Sequence, residues 1–271
     1  MKNNWIAIWD NTKEARLIYV SESITDHLGW EPQEIIGREG YDLFHPGDHN
    51  SLRKVHLANV CNERMSSMVS YRIMAKDGSY VRIETILHYC HDALIGTNFL
   101  YDEESLDHKI RANSVDEVYV CLPDGNLQLA GAWNDRQERL QDALDMETML
   151  KNKQLVLSQK RRFCLILNRF SEALNIVFIS KLATELVSLD TVKAIGTPLY
   201  DYISEKDAPL LKYQIDLAKQ HDMVMRLRFD WLMDRERGLS EPVEAIASCT
   251  DDGIVMVFRL SPRLFMDDDT I

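Results

Sequence analysis

At 271 residues and 45% hydrophobic content, the chain is long enough for two ordinary globular domains, each with a core of its own. A net charge of −12, from 43 acidic against 31 basic residues, repels phosphate backbones and argues against direct nucleic-acid binding. No run of about 18 apolar residues that could cross a membrane is present, the first ten residues make a poor signal peptide, and five scattered cysteines point to reduced thiols in the cytoplasm and/or nucleus.

In chain order, Trp5 to Trp9 opens with a short apolar run, and Leu17 to Val20 reads as a second strand. Ser21, at that strand's exit, is placed to cap the helical turn that follows and ends near Gly29. Glu31-Pro32-Gln33-Glu34 starts another short helix with proline near its first position, closed by Gly37. An acidic turn at Asp48 leads into a longer helix through Leu52. Strands over 67–75 and 80–89 flank Lys76-Asp77-Gly78-Ser79, a strong hairpin signal, and 93–101 supplies a further strand. Ser114 to Leu122, a Pro123-Asp124-Gly125 turn and Leu127 to Trp133 form a hairpin-like insert that could extend the first sheet or cover a face. A capping box at Asn134–Gln137 begins a charged helix, either a short coiled coil or a segment packed on one domain. The densest basic run, Gln159 to Arg162, is read as solvated junction surface.

The remainder repeats the beginning. Residues 17–53 align with 176–212 at a constant offset of 159, with eight identical pairs that include Ser21/Ser180, Gly37/Gly196, Tyr41/Tyr200 and Asp48/Asp207. Chance would give about two. Strands then follow at 223–233, 241–248 and 254–260, so each copy reads as two strands, several short helices and three strands. The division is 1–112 for the first domain, 113–161 for the connector, 162–263 for the second domain and 264–271 for an acidic tail.

This order resembles the PAS family. The resemblance is carried by Tyr19-Val20-Ser21-Glu22-Ser23, by Leu28-Gly29-Trp30-Glu31-Pro32 through Gly37, by Leu43-Phe44-His45-Pro46-Gly47-Asp48, and by the hairpin from Lys76 to Glu84. The second half keeps Gly196, Tyr200-Asp201-Tyr202-Ile203 and Asp207, and leans on the repeat. The resemblance implies an α+β fold class: two PAS-like domains, each a five-stranded antiparallel sheet with short helices closing a central pocket. It also implies a non-enzymatic sensing and association module of the kind found in eukaryotic transcription regulators, fungal ones among them.

Pocket candidates under that reading are Trp30, Tyr41 and His56 in the first copy and Phe178 and Tyr200 in the second, all of which also suit ordinary core positions. No cofactor is expected. Flavin and haem are the two to weigh, with His56 the candidate axial ligand, while Arg38 to Leu43 offers no cysteine for covalent flavin chemistry. His88, Cys90 and His91 cannot converge on a metal from one strand. No nucleophile elbow, phosphate loop or kinase signature is present. The expected partner is another PAS-containing protein or a second copy, with a small-molecule ligand as the alternative and neither membrane nor nucleic acid involved. For the interface, Trp5, Ile6, Ile8 and Trp9 are the candidates, either as anchors for a partner or as packing within the domain's own edge.

Overall fold

Several strands here are apolar on both faces, which an alternating pattern with one solvated side does not require. The computed structural model shows why. It describes residues 4–61, 64–90, 93–130, 160–221, 223–235 and 237–261.

The first unit runs β1 (Asn4–Asp10), β2 (Leu17–Val20), α1 (Ile24–Leu28), α2 (Pro32–Ile35), α3 (Gly40–Leu43), α4 (His49–Cys61), β3 (Ser67–Met74), β4 (Tyr80–Cys90) and β5 (Ala93–Leu100). Helix α5 (Leu106–Ser114) and the hairpin β6 (Glu117–Cys121) and β7 (Leu127–Ala130) follow. The second unit runs β8 (Arg162–Leu167), β9 (Ile176–Ile179), α6 (Leu182–Val187), α7 (Ala208–His221), β10 (Val224–Asp234), β11 (Leu239–Cys249) and β12 (Ile254–Leu260). The first sheet has the order β2-β1-β5-β4-β3-β6-β7 and the second β10-β11-β12-β8-β9, so the same five-stranded antiparallel core occurs twice. This is the α+β, two-unit architecture that the repeat implies. The insert hairpin extends the first sheet, β6 lying parallel to β3 from Ser67↔Glu117 to Ser70↔Val120. The charged helix begun at Asn134 and the acidic tail lie outside the described residues.

The two copies agree hydrogen bond by hydrogen bond. Ser21 Oγ accepts from the Ile6 amide at 2.9 Å, and Ser180 Oγ from the Cys164 amide at 2.9 Å. These serines therefore tie the strand exit to the neighbouring strand, and neither caps its helix. The reason is local: β2 and β9 end beside an amide that no strand partner satisfies, and that donor is nearer than the helix turn. Asp48 Oδ2 accepts from the Arg72 amide at 2.9 Å and Asp207 Oδ2 from the Asp230 amide at 3.0 Å, each pinning the start of the long helix to the strand after it.

Gly37 and Gly196 hold left-handed φ of 88° and 83°, and each amide donates at 2.8 Å, to the Leu17 and Ile176 carbonyls. A Cβ at either glycine would meet nothing within 4 Å. Gly37→Ala and Gly196→Ala therefore strain only the backbone and are each expected to destabilise by about 1 kcal/mol. Urea denaturation checks this, and equal losses at the two sites are the expected outcome.

The sheets meet through their outer faces. On β1, Trp5, Ala7 and Trp9 point into the first core, while Ile6 and Ile8 join a cluster with Ile86, Ile95, Cys164, Ile166, Ile246, Val255 and Val257. All of these are buried. Near the middle of this seam, His88 Nδ1 lies 3.3 Å from the Met65 carbonyl and Nε2 lies 2.9 Å from Ser248 Oγ. An Nδ1–H tautomer donates to Met65 and accepts from Ser248, to which the Thr97 hydroxyl also donates at 3.3 Å. His88 faces Ile95 and Ser248 faces Val255 in their own sheets, so the pair occupies corresponding places in the two copies. Contact between corresponding residues is the signature of a two-fold-related interface, formed here within one chain. Arg162 completes the seam, Nη1 donating to the Arg64 carbonyl at 2.7 Å and the Tyr89 carbonyl at 3.3 Å.

Candidate functional site

Inside the first unit, α4, the β1–β2 loop and the inner face of the sheet enclose a cavity of about 360 Å³. Its walls are mainly apolar and aromatic, from Trp9, Phe44, Leu52, Val55, Val69, Tyr71, Leu87 and Tyr89, with Lys13, Tyr41 and Arg53 also among the lining residues. The volume is at the lower end of ligand-pocket sizes. Trp9 is buried, and its indole Nε1–H has no hydrogen-bond partner among the described residues. The donor is sealed within the wall, so it costs the fold an unmade hydrogen bond without facing the cavity.

His56 is on the wall, with Nδ1 2.5 Å from the Tyr89 hydroxyl. Burial pushes its pKa down to about 4, so the ring is neutral at pH 7, and burial raises the Tyr89 phenol well above its ordinary value. Tyr41 sits edge-on to Phe44 and His49 at 5.6 and 5.2 Å, under the Arg53 guanidinium at 5.0 Å. Burial raises its phenol pKa as well.

Of the residues singled out from the sequence, Tyr41 and His56 line this cavity. Trp30 does not; its Nε1 donates to the Met74 carbonyl at 2.8 Å and Arg38 lies 5.0 Å over its ring. Phe178 lies on edge strand β9 and is 39% exposed. Tyr200 packs on the second core, its phenol pushed up to about 12 by burial and by Asp216. The place of His56 in the second copy belongs to Ile215, at the same offset of 159, which is fully buried in the second core. Trp5 and Trp9 face the first core, and Ile6 and Ile8 the seam, so none of the four lies open on the surface. His88 and Cys90 also belong to the seam, and His91 lies outside the described residues. The sequence reading missed Tyr71, Tyr89 and Arg53 as cavity residues. The alternation of Trp5, Ala7 and Trp9 was the available signal that Trp9 points inward.

Two buried histidines make stability depend on pH. His88, like His56, is held down at about 4, chiefly by burial. A depressed folded pKa gives stability that is complete above the unfolded value of about 6.5 and is lost as pH falls from there towards 4, by about 3 kcal/mol per histidine at pH 4. Urea titrations at successive pH values should show this decline, with a shallower one in His56→Gln. Identical slopes in the two proteins would contradict the assignment.

Residues 17–93 match a family model described as PAS fold. Among curated proteins, the human Basic helix-loop-helix ARNT-like protein 2 is 37% identical over 70 residues, 26% of this chain and 11% of that protein. The hypoxia-inducible factor 1-alpha of Gallus gallus is 35% identical over 72 residues, 27% of this chain and 9% of that protein. The chain thus spans only about a tenth of the length of the curated relatives it matches. Among solved structures, the PAS-B of Drosophila melanogaster Cycle with bound ethylene glycol aligns over 36% of this chain and 99% of its own at 24% identity and a TM-score of 0.33. The PAS domain of the Cronobacter turicensis RpfR quorum-sensing receptor in complex with BDSF aligns over 38% and 97% at 19% identity and a TM-score of 0.33. The human and Gallus gallus relatives are animal proteins and give no support to the expected likeness to fungal regulators. The first unit of the chain, over residues 17–93, thus has the PAS fold and is similar to a short stretch of the ARNT-like and hypoxia-inducible proteins.

Proposed function

We propose that the chain is a non-catalytic association module of signalling or transcriptional regulation, working in the cytoplasm and/or nucleus and pairing with itself or with another PAS-containing protein. The observation that carries this reading is the match of residues 17–93 to the PAS fold, together with relatives that are basic helix-loop-helix and hypoxia-inducible proteins. The seam adds a physical precedent, since a sheet face of this fold already recognises another unit of the same fold. No helix among the described residues is long and apolar enough to cross a membrane. Sedimentation equilibrium of the full chain, alone and mixed with the PAS region of the human relative, tests the proposal. A complex at twice the monomer mass or at the mixed mass is expected; monomers throughout would overturn it.

The cavity favours a second reading, in which the first unit carries a small ligand. Its walls suit a compact, mainly apolar molecule, and His56, neutral at pH 7, presents a ring nitrogen rather than a charge. Native mass spectrometry with an absorption spectrum separates the readings: added ligand mass, or a flavin or haem band, supports the sensor, and a bare chain supports association alone.

A further inference from the structure

The seam uses the outer faces of both sheets, so a partner has to meet other surface. The edge strands β2 and β9 correspond in the repeat, and both copies leave apolar residues in the open at the same places. Ile18 and Val177 are 52% and 51% exposed, Tyr19 and Phe178 are 43% and 39%, and Ile36 and Ile195 are 45% and 47%. Single exposed apolar residues carry no meaning. Here, however, two copies that share only eight identities in 37 aligned positions have kept three such residues without any core to fill.

On the first unit Tyr19, Pro32 and Ile36 line an open groove whose other walls carry Glu22, Asp26, Glu31 and Asp252. Asp252 comes from the second unit and is held by the Ser21 and Ser23 hydroxyls, each at 2.5 Å, so the groove is complete only when the seam is closed. Among the described residues, no basic side chain forms an ion pair with these four acids. The second unit differs at the corresponding places: Lys181 replaces Glu22, Glu185 pairs with Arg161, and Asp190 pairs with Lys193 at 3.1 Å. Only the first groove therefore combines apolar anchors with unneutralised negative charge.

We propose that this groove docks a basic amphipathic segment of a partner protein, its apolar side chains seated on Tyr19, Pro32 and Ile36 and its basic ones facing Glu22, Asp26, Glu31 and Asp252. This rests on the association reading and specifies its partner. A second copy is a poor occupant of this groove, because two acidic grooves in chains of net charge −12 repel each other, so self-pairing would use other surface. The mode is that of a helix or strand laid in a groove, with charge selecting the partner.

The test is fluorescence anisotropy of the full chain with a labelled Lys/Leu amphipathic peptide of about 16 residues and its Glu/Leu counterpart. The Lys/Leu peptide should bind, more weakly as salt rises. Tyr19→Ser with Ile36→Ser should weaken it by about tenfold or more, Asp252→Asn should weaken it as well, and Phe178→Ser with Ile195→Ser should leave it unchanged. Equal binding of both peptides, or equal loss from the two serine pairs, overturns the inference. Sedimentation of the same variants keeps the two ideas apart. Complexes that form while the peptides go unselected remove only the groove, and monomers in every mixture remove the association reading itself.

Discussion

Trp231→Ala is expected to destabilise the second unit by about 3–5 kcal/mol, among the largest single losses available in the chain. The indole is fully buried. It stacks on Tyr202 at 5.4 Å and 12°, and meets Phe163 and Phe258 edge-on at 5.7 and 5.6 Å, while those two rings stack on each other at 4.6 Å. Its Nε1 has no hydrogen-bond partner among the described residues, so the loss is one of packing: four mutually supporting rings cannot collapse into the space left by the largest of them. Urea denaturation followed by circular dichroism measures the cost. A loss below about 1 kcal/mol would mean that this interior is loosely packed.

Arg111→Ala is expected to cost about 3–5 kcal/mol for an electrostatic reason. Glu84 is completely buried on β4, and its carboxylate is held by Arg111, whose Nε donates at 2.7 Å, and by His108, both from α5. Arg111 is itself 4% exposed and lies 4.0 Å over the Phe99 ring. Removing the guanidinium leaves the buried carboxylate with His108 as its remaining side-chain partner and no permanent counter-charge, whereas replacing Arg111 and Glu84 with apolar residues of similar size removes charge and counter-charge together. Arg111→Met with Glu84→Leu should therefore recover most of the loss. A double variant as unstable as Arg111→Ala would show that α5 docks through something other than this pair.

The repeat at Ser21/Ser180, Gly37/Gly196 and Asp48/Asp207 made the two-unit architecture legible, because each of those residues answers a local backbone demand that recurs wherever the unit recurs. The turn signals were equally readable: Gly78 is left-handed at φ 86° and Asp77 Oδ1 accepts from the Ser79 amide at 2.9 Å. Helix α5 was not foreseen. Its start is capped by Ser105 Oγ accepting from the His108 amide at 3.1 Å, but the segment is polar and its anchor is an ion pair to a distant strand. The seam was hidden for a similar reason. Ile6 and Ile8 announce an apolar outer face, yet nothing in one strand says whether that face meets another molecule or the other half of the same chain. Within the cavity, Tyr41 and His56 were reached through the PAS resemblance, whereas Tyr71 and Tyr89 come from strands whose inward face depends on register.

The packing of the two sheets is what moves the docking surface from the sheet face to the β2 edge, and small-angle X-ray scattering of the dilute monomer tests it most directly. A closed seam predicts a radius of gyration near that of one compact 271-residue body, about 18–19 Å. A value of about 25 Å or more, with the profile of two tethered bodies, would show the sheets apart in solution and contradict the account.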